Sequence, residues 1–272
     1  MTRVDRSLGV PLVLAVVTIL AEIAYPLAPE RRLGTLSVLT VVAFAAASVS
    51  HALAVRGGTW TALLVLVVVP GAFVAELVGV GTRFPFGDYS YSQRLGPLVA
   101  GVPLLVPLAW LMMAYPCLLM ARLLVGHIAQ NRWQHTSLVT GAVAGVALTA
   151  WDVFLDPQMV AAGSWTWRHP HPGLPGVSSV PLTNLGGWLL SAVLLMTAAE
   201  AVLGQDADER SGRPPAVVVP ALLLAWTWAG SVIGNAAFFG RPAVAIWGGL
   251  LLGAFVVPYL VLVHARWSAA TA

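Results

Sequence analysis

Eight stretches of about twenty mostly apolar residues run through this chain, each long enough to cross the hydrocarbon core of a bilayer as a helix. They are Leu8–Leu27, Leu33–Val55, Trp60–Val80, Leu98–Val125, Ser137–Leu155, Leu182–Leu203, Ala216–Phe239 and Val244–His264. The third, fourth and eighth are nearly free of charge. The fifth is the weakest, because it contains Asp152 and many small residues, so seven spans is the alternative count. Its Gly141, Ala144, Gly145 and Ala147 suit the close approach of two helices in lipid. Composition points the same way: 58% of the residues are hydrophobic, only 9% are charged, and mean hydropathy is +0.85. A water-soluble domain carries about a quarter of its residues as Asp, Glu, Lys and Arg. The expected architecture is all-α: a polytopic transmembrane helical bundle forming a single integral membrane domain over residues 1–272.

The net charge of +3 does not indicate a nucleic-acid partner. All 14 basic residues are arginines, scattered singly or in pairs between the apolar runs, and no basic block exists to grip a polyanion. With eight spans both termini share one side, which carries Arg3, Arg6, Arg56, Arg122, Arg132, Arg210, Arg213 and Arg266. Six arginines fall opposite, so the charge bias favours cytoplasmic termini in the cell membrane. The apolar run after Arg3 and Arg6 exceeds a signal-peptide core in length, and is read as the first span. The single cysteine, Cys117, is read as a core side chain.

Ionisable groups inside a span are costly and mark function. Following the helix directions, Glu22, Glu76, Asp152 and Asp156 fall toward one membrane face, and Glu200 toward the other. Asp152 and Asp156 are four residues apart and share a helix face. Two carboxyls held together away from water cannot both carry charge cheaply, so the pair is a candidate proton donor. Pro157 is expected to end that helix. Asn184 and Asn235 point toward the same face as the acids. His51 and His264 lie near the opposite face, where they cap or snorkel.

Two long connections, residues 81–97 and 156–181, emerge at the face that gathers the acids, and both are dense in aromatics, Gly and Pro. An extended Gly163-Ser-Trp-Thr-Trp-Arg-His-Pro-His would put Trp165, Trp167, His169 and His171 on one side. That row either lines a pocket or forms an interfacial aromatic belt. His169 and His171 could ligate a metal with Asp152 or Asp156, but no clear third protein ligand is present, so no metal site is assigned. In the other connection Tyr89 and Tyr91 alternate with polar residues, and Asp88 is placed to pair with Arg83 or Arg94.

Four stretches between Glu76 and Trp188 resemble the CruF-like carotenoid hydratases, integral membrane enzymes of carotenoid biosynthesis. They are Phe86-Gly-Asp-Tyr-Ser-Tyr with Leu95-Gly-Pro; the run from Gly101-Val-Pro to Met113-Ala-Tyr-Pro; Ala150-Trp-Asp-Val-Phe-Leu-Asp-Pro with Gly163-Ser-Trp-Thr-Trp; and Pro181-Leu-Thr-Asn-Leu-Gly-Gly-Trp. The resemblance implies addition of water to the terminal isopropylidene double bond of an acyclic carotenoid, giving a tertiary alcohol without any cofactor. A strong, poorly solvated acid must protonate the alkene, ring faces stabilise the tertiary cation, and a held water captures it. Asp152 is expected as proton donor, with Asp156 or Glu76 orienting water. Tyr89, Tyr91, Trp110, Trp151, Trp165, Trp167, Asp88, Asn184 and His169 are the expected substrate contacts. The expected partners are a lipid-dissolved carotenoid (lycopene-like, or with a prenylated acyclic end), membrane lipids and other carotenoid biosynthesis enzymes. A carotenoid end-ring cyclase begins with the same protonation and is the nearest rival. A transporter or pigment-binding protein would use similar groups without chemistry.

Overall fold

The computed structural model describes residues 8–129, 136–204 and 214–271. Arg3, Arg6, Arg132, Arg210 and Arg213, used in the charge count, lie outside the described residues. Eight helices among the described residues are long and apolar enough to cross a membrane. They are α1 (Gly9–Ala24, continued by a 3-10 turn at Tyr25–Leu27), α2 (Glu30–Arg56), α3 (Gly58–Thr82), α4 (Leu105–Ala129), α5 (Thr136–Ala161), α6 (Leu182–Leu203), α7 (Pro214–Ile233) and α8 (Pro242–Thr271). The protein is an all-α, multi-pass membrane bundle.

One helix is the axis of that bundle. The apolar window of α4 is 89% buried, against 28% for α1, α3 and α8. Trp110, Met113, Tyr115, Cys117, Leu118 and Met120 fill the centre. α2, α3, α5, α7 and α8 all pack on α4. The outer helices instead turn bulky apolar side chains outward, among them Leu20, Leu66, Leu194 and Leu250, where acyl chains would meet them.

The small residues of α5 do what their size suggests. A Cβ at Gly145 would sit 2.5 Å from the Val193 Cα of α6, and one at Gly141 would collide with the backbone at Thr197. The two helix backbones therefore touch, which in lipid maximises dispersion contact.

Several helix ends differ from those expected, α8 running past His264 to Thr271, and two of the differences have a clear local cause. α5 does not stop at Pro157; it continues to Ala161 with the proline inside it. A membrane helix tolerates the lost N–H because neighbouring groups serve the freed carbonyl. The stop comes at Gly163 (φ +69°), with Ser164 N–H donating to Met159 O at 2.9 Å and Gly163 N–H to Val160 O at 2.9 Å. That is the double bond of a Schellman cap, which needs a residue free to adopt the left-handed region. α4 begins at Leu105 rather than Leu98, because β2 (Leu98–Val99) and β3 (Val102–Pro103) form a minimal hairpin first. Ala100 and Gly101 both take positive φ in its turn.

The two long connections meet each other. β1 (Tyr89–Tyr91) pairs antiparallel with β4 (Trp165–Trp167), placing Tyr89 opposite Trp167 and Tyr91 opposite Trp165. Successive side chains of a strand alternate sides, so all four rings share one face of the ribbon. Ser92 N–H to Ser164 O and Arg168 N–H to Asp88 O, both 2.8 Å, extend it at each end.

At the other end of the bundle a second polar cluster is locked in place. Arg122 on α4 donates to Glu200 Oε2 at 2.7 Å and to Gly204 O at 2.7 Å, and lies over the Trp60 ring. His51 does not snorkel: it is fully buried, with Nδ1 2.7 Å from the Tyr115 hydroxyl.

Candidate active site

The tyrosine and tryptophan rings of the ribbon cover one end of a cavity of about 180 Å³ inside the bundle. Its walls come from α1 to α7, and its polar lining includes three sets: Glu76 with its donors, the Asp156–Asn184 pair, and a group on α1 and α7; Ser37, Thr40 and Gln158 also line it.

Glu76, on α3 and 3% exposed, is held by three donors from two directions. The hydroxyls of Tyr89 and Tyr91 reach Oε2 at 2.6 and 2.8 Å, and the Trp110 indole N–H reaches Oε1 at 3.3 Å. Donors converging on both oxygens suit a carboxylate, which only accepts. Burial, and next the Glu76 charge, push the phenols of Tyr89 and Tyr91 well above their ordinary range, so both stay protonated as donors. Gly79, one turn on from Glu76, makes the clamp possible: a Cβ there would lie 2.7 Å from the Tyr89 hydroxyl.

Asp152 and Asp156 project from one face of α5, as their spacing requires. Asn184, at the start of α6, donates through Nδ2 to Asp152 Oδ2 at 3.1 Å and also to Asp156 Oδ2. Asp156 Oδ1 accepts from the Trp165 indole at 3.0 Å. All three side chains are 2–3% exposed. Their placements differ in one respect that matters. Asp156 and Asn184 line the large cavity, whereas Asp152 lies behind them against a small void of about 20 Å³ under residues 174–182. Oδ1 of Asp152 accepts from no N–H or O–H among the described residues, and its neighbour is the Asp156 carboxyl.

Flat aromatic surfaces make up the remainder of that end. Trp110 and Trp188 stack with centroids 4.1 Å apart and planes 6° from parallel, and Trp151 meets Trp188 edge-on at 6.2 Å. Tyr89 stacks on Trp167 at 5.8 Å, and Tyr91 meets Trp165 edge-on at 5.5 Å. Ring faces carry the negative part of the quadrupole and attract a cation.

Residues 34–266, most of the chain, match the family described as carotenoid biosynthesis protein. The chain belongs to that family. Over 125 residues it is 39% identical to the bisanhydrobacterioruberin hydratase of Haloarcula japonica, a match covering 44% of this chain and 39% of that protein's length. The chain thus aligns with well under half of that relative. No solved structure matches it.

Within this carotenoid biosynthesis protein, Glu76, Asp156, Asn184, Tyr89, Tyr91, Trp110, Trp151, Trp165 and Trp167 line one cavity. Two expected substrate contacts do not. Asp88 bonds outward, 3.5 Å from Arg83 and 3.4 Å from Arg168, with no pairing to Arg94. His169 and His171 are exposed, because the ribbon ends at Trp167 and the chain turns away from the bundle beyond it. Asp152 was the expected donor, yet it is the acid set back from the cavity. Asn235 is fully buried in a π-helical turn (Gly234–Phe238) that ends α7 and donates to Ser231 O. The wall made by Glu22, Trp226 and Thr227 was not assembled from the sequence. Glu22 carried a signal as an in-span acid, but the two α7 residues stand in an ordinary apolar run.

Proposed function

We propose that this protein is a carotenoid hydratase, adding water across the terminal isopropylidene double bond of an acyclic carotenoid end to give a tertiary alcohol. The observation that carries this reading is the meeting, in one aromatic-walled cavity within a membrane bundle, of one member of a buried carboxyl pair with a separately clamped carboxylate. Glu76 accepts from three donors on its two oxygens, the arrangement that suits a carboxylate. The Asp152–Asp156 pair shares a proton, since two charges gathered at one amide NH2 group away from water repel strongly. A proton bridging the two also gives Asp152 Oδ1 the donor it otherwise lacks.

Asp156, the member facing the cavity, delivers the proton to the =CH– carbon of the alkene. The π electrons form the new C–H bond, and the dimethyl carbon becomes a tertiary cation. Trp110, Trp188 and Trp151 offer ring faces to it, and Glu76 supplies the compensating charge without bonding to it. Water then forms the C–O bond and loses a proton to a base. Asp152, behind Asp156, keeps the proton available to the donor. The substrate dissolves only in the bilayer, which fits a cavity built inside a single membrane domain. The arginine distribution supports cytoplasmic termini in the cell membrane. Other carotenoid enzymes are expected as suppliers of the substrate.

The test is expression in cells that accumulate lycopene, with chromatography and mass spectrometry of the pigments. A product one water heavier is expected, falling at least ~100-fold in Asp156→Asn at equal protein level, the scale of one general acid. A ring-closed product of unchanged mass would mean a cyclase, and unaltered pigment would overturn the enzymatic reading.

A further inference from the structure

A base must take the proton that the attacking water loses. Glu76 is a poor candidate, because both of its oxygens are already bonded to protein donors. The Asp pair is the source of the proton. One more acid lines the same cavity: Glu22, near the end of α1. It belongs to a different wall, made where α1 and α7 pack together. Its carboxyl lies beside the Trp226 indole of α7. The next residue, Thr227, also faces the cavity and is 5% exposed. Its Oγ1 has no hydrogen-bond partner among the described residues. A buried hydroxyl without a partner costs free energy unless something in the cavity bonds to it.

We propose that Glu22 and Thr227 hold the water that captures the cation, with Glu22 as the base that removes its proton and Thr227 as the residue that positions it. This rests on the hydratase reading and deepens it. The water oxygen forms the C–O bond to the dimethyl carbon, and one of its hydrogens passes to the Glu22 carboxylate. Glu22 thus gains one proton where Asp156 has lost one. The two acids re-equilibrate through solvent before the next turnover, so the net reaction consumes only water. Proton and water reach the alkene from two walls of the cavity, which keeps the cation from meeting its nucleophile on the acid side.

The separation of acid from base gives a readout that a structural role would not move. In membranes carrying the full-length protein, loaded with lycopene and placed in D2O, Asp156 still forms the cation when Glu22 cannot accept a proton. The cation then collapses by losing H+ or D+ back to Asp156. Glu22→Gln should therefore lower the alcohol at least ~100-fold while deuterium still enters the recovered carotenoid. Asp156→Asn should abolish both. Thr227→Val should show the same split as Glu22→Gln, and Thr227→Ser should restore the alcohol. The proposal is overturned if Glu22→Gln hydrates at the wild-type rate, or if alcohol and deuterium entry fall together in a variant that melts like wild type. If Glu22→Gln fails to fold, the Thr227 pair decides: hydration unaffected in Thr227→Val overturns it. Wild-type membranes that neither hydrate nor exchange would overturn the hydratase reading itself.

Discussion

Replacing Tyr89 with Phe removes a single hydroxyl from the Glu76 clamp and little else. The ring keeps its stack on Trp167 at 5.8 Å and its edge contact with Phe86 at 6.0 Å. The lost bond is the shortest of the three: 2.6 Å, against 2.8 Å from Tyr91 and 3.3 Å from Trp110. An O–H donor to a carboxylate normally sits at about 2.5–2.7 Å, so Tyr89 carries the largest share. A hydrogen bond to a charged group contributes about 1.5–3 kcal/mol. At about 2–4 °C per kcal/mol for a large domain, Tyr89→Phe should melt roughly 3–12 °C below wild type. Tyr91→Phe should lose less. The chain carries its own reporter: Cys117 is the sole cysteine and is fully buried on α4. A thiol-reactive fluorogenic dye therefore follows unfolding in detergent without any added label. Combining Tyr89→Phe with Glu76→Gln should show a coupling of about 1 kcal/mol or more, as expected for residues in one hydrogen-bond network. A Tyr89→Phe melting point within about 1 °C of wild type, or no coupling, would refute the clamp.

Three further outcomes follow from the geometry. Because burial and the Glu76 charge raise the phenols of Tyr89 and Tyr91, these two should stay silent in an absorbance titration through the ordinary tyrosine range near pH 10. Wild type and the double Phe variant should show the same ionisation step there. Stability present below that range should be lost as pH rises through it, since the unfolded tyrosines release protons that the folded ones keep. Gly145→Ala forces a Cβ to 2.5 Å from the Val193 backbone and should cost about 1–3 kcal/mol, read by the same melt; an unchanged melting point would mean the α5–α6 contact is looser than it stands. Arg122→Met breaks a buried ion pair and should destabilise by about 3–5 kcal/mol, yet the protein that remains folded should turn over normally, because the pair lies at the far end of the bundle.

Much of the site was legible because intramembrane acids are costly and therefore sparse. Glu22, Glu76, Asp152 and Asp156 stand out in apolar runs, and simple alternation of helix direction gathers them at one end. The i, i+4 spacing put Asp152 and Asp156 on one face. Alternation along the two aromatic segments put Tyr89 with Tyr91 and Trp165 with Trp167. Extending that alternation to His169 overreached, because a strand lasts only as long as its partner does. The pairing of the two segments, 78 residues apart at Tyr89 and Trp167, left no mark in either one. Pro157 was read by its behaviour in water, where a helix with a lost N–H has no neighbouring helix to compensate it; the cap signal was Gly163.

By itself, the chain's succession of long apolar runs determined a membrane bundle of about eight helices, because about twenty mostly apolar residues are what a helix needs to cross lipid. It also marked α5 as a helix that a neighbour can approach closely, since Gly141, Ala144, Gly145 and Ala147 are small. Tertiary structure alone decided the roles within the cluster of acids. Four carboxyls of similar sequence context became one clamped by three donors, two joined through a single amide, and one on a separate wall with Thr227, whose hydroxyl has no partner among the described residues. Those distinctions arise from side chains contributed by α4, α6, α7 and the ribbon. A carboxyl's chemistry is set by the groups that surround it in space, and nearly all of those lie far from it along the chain.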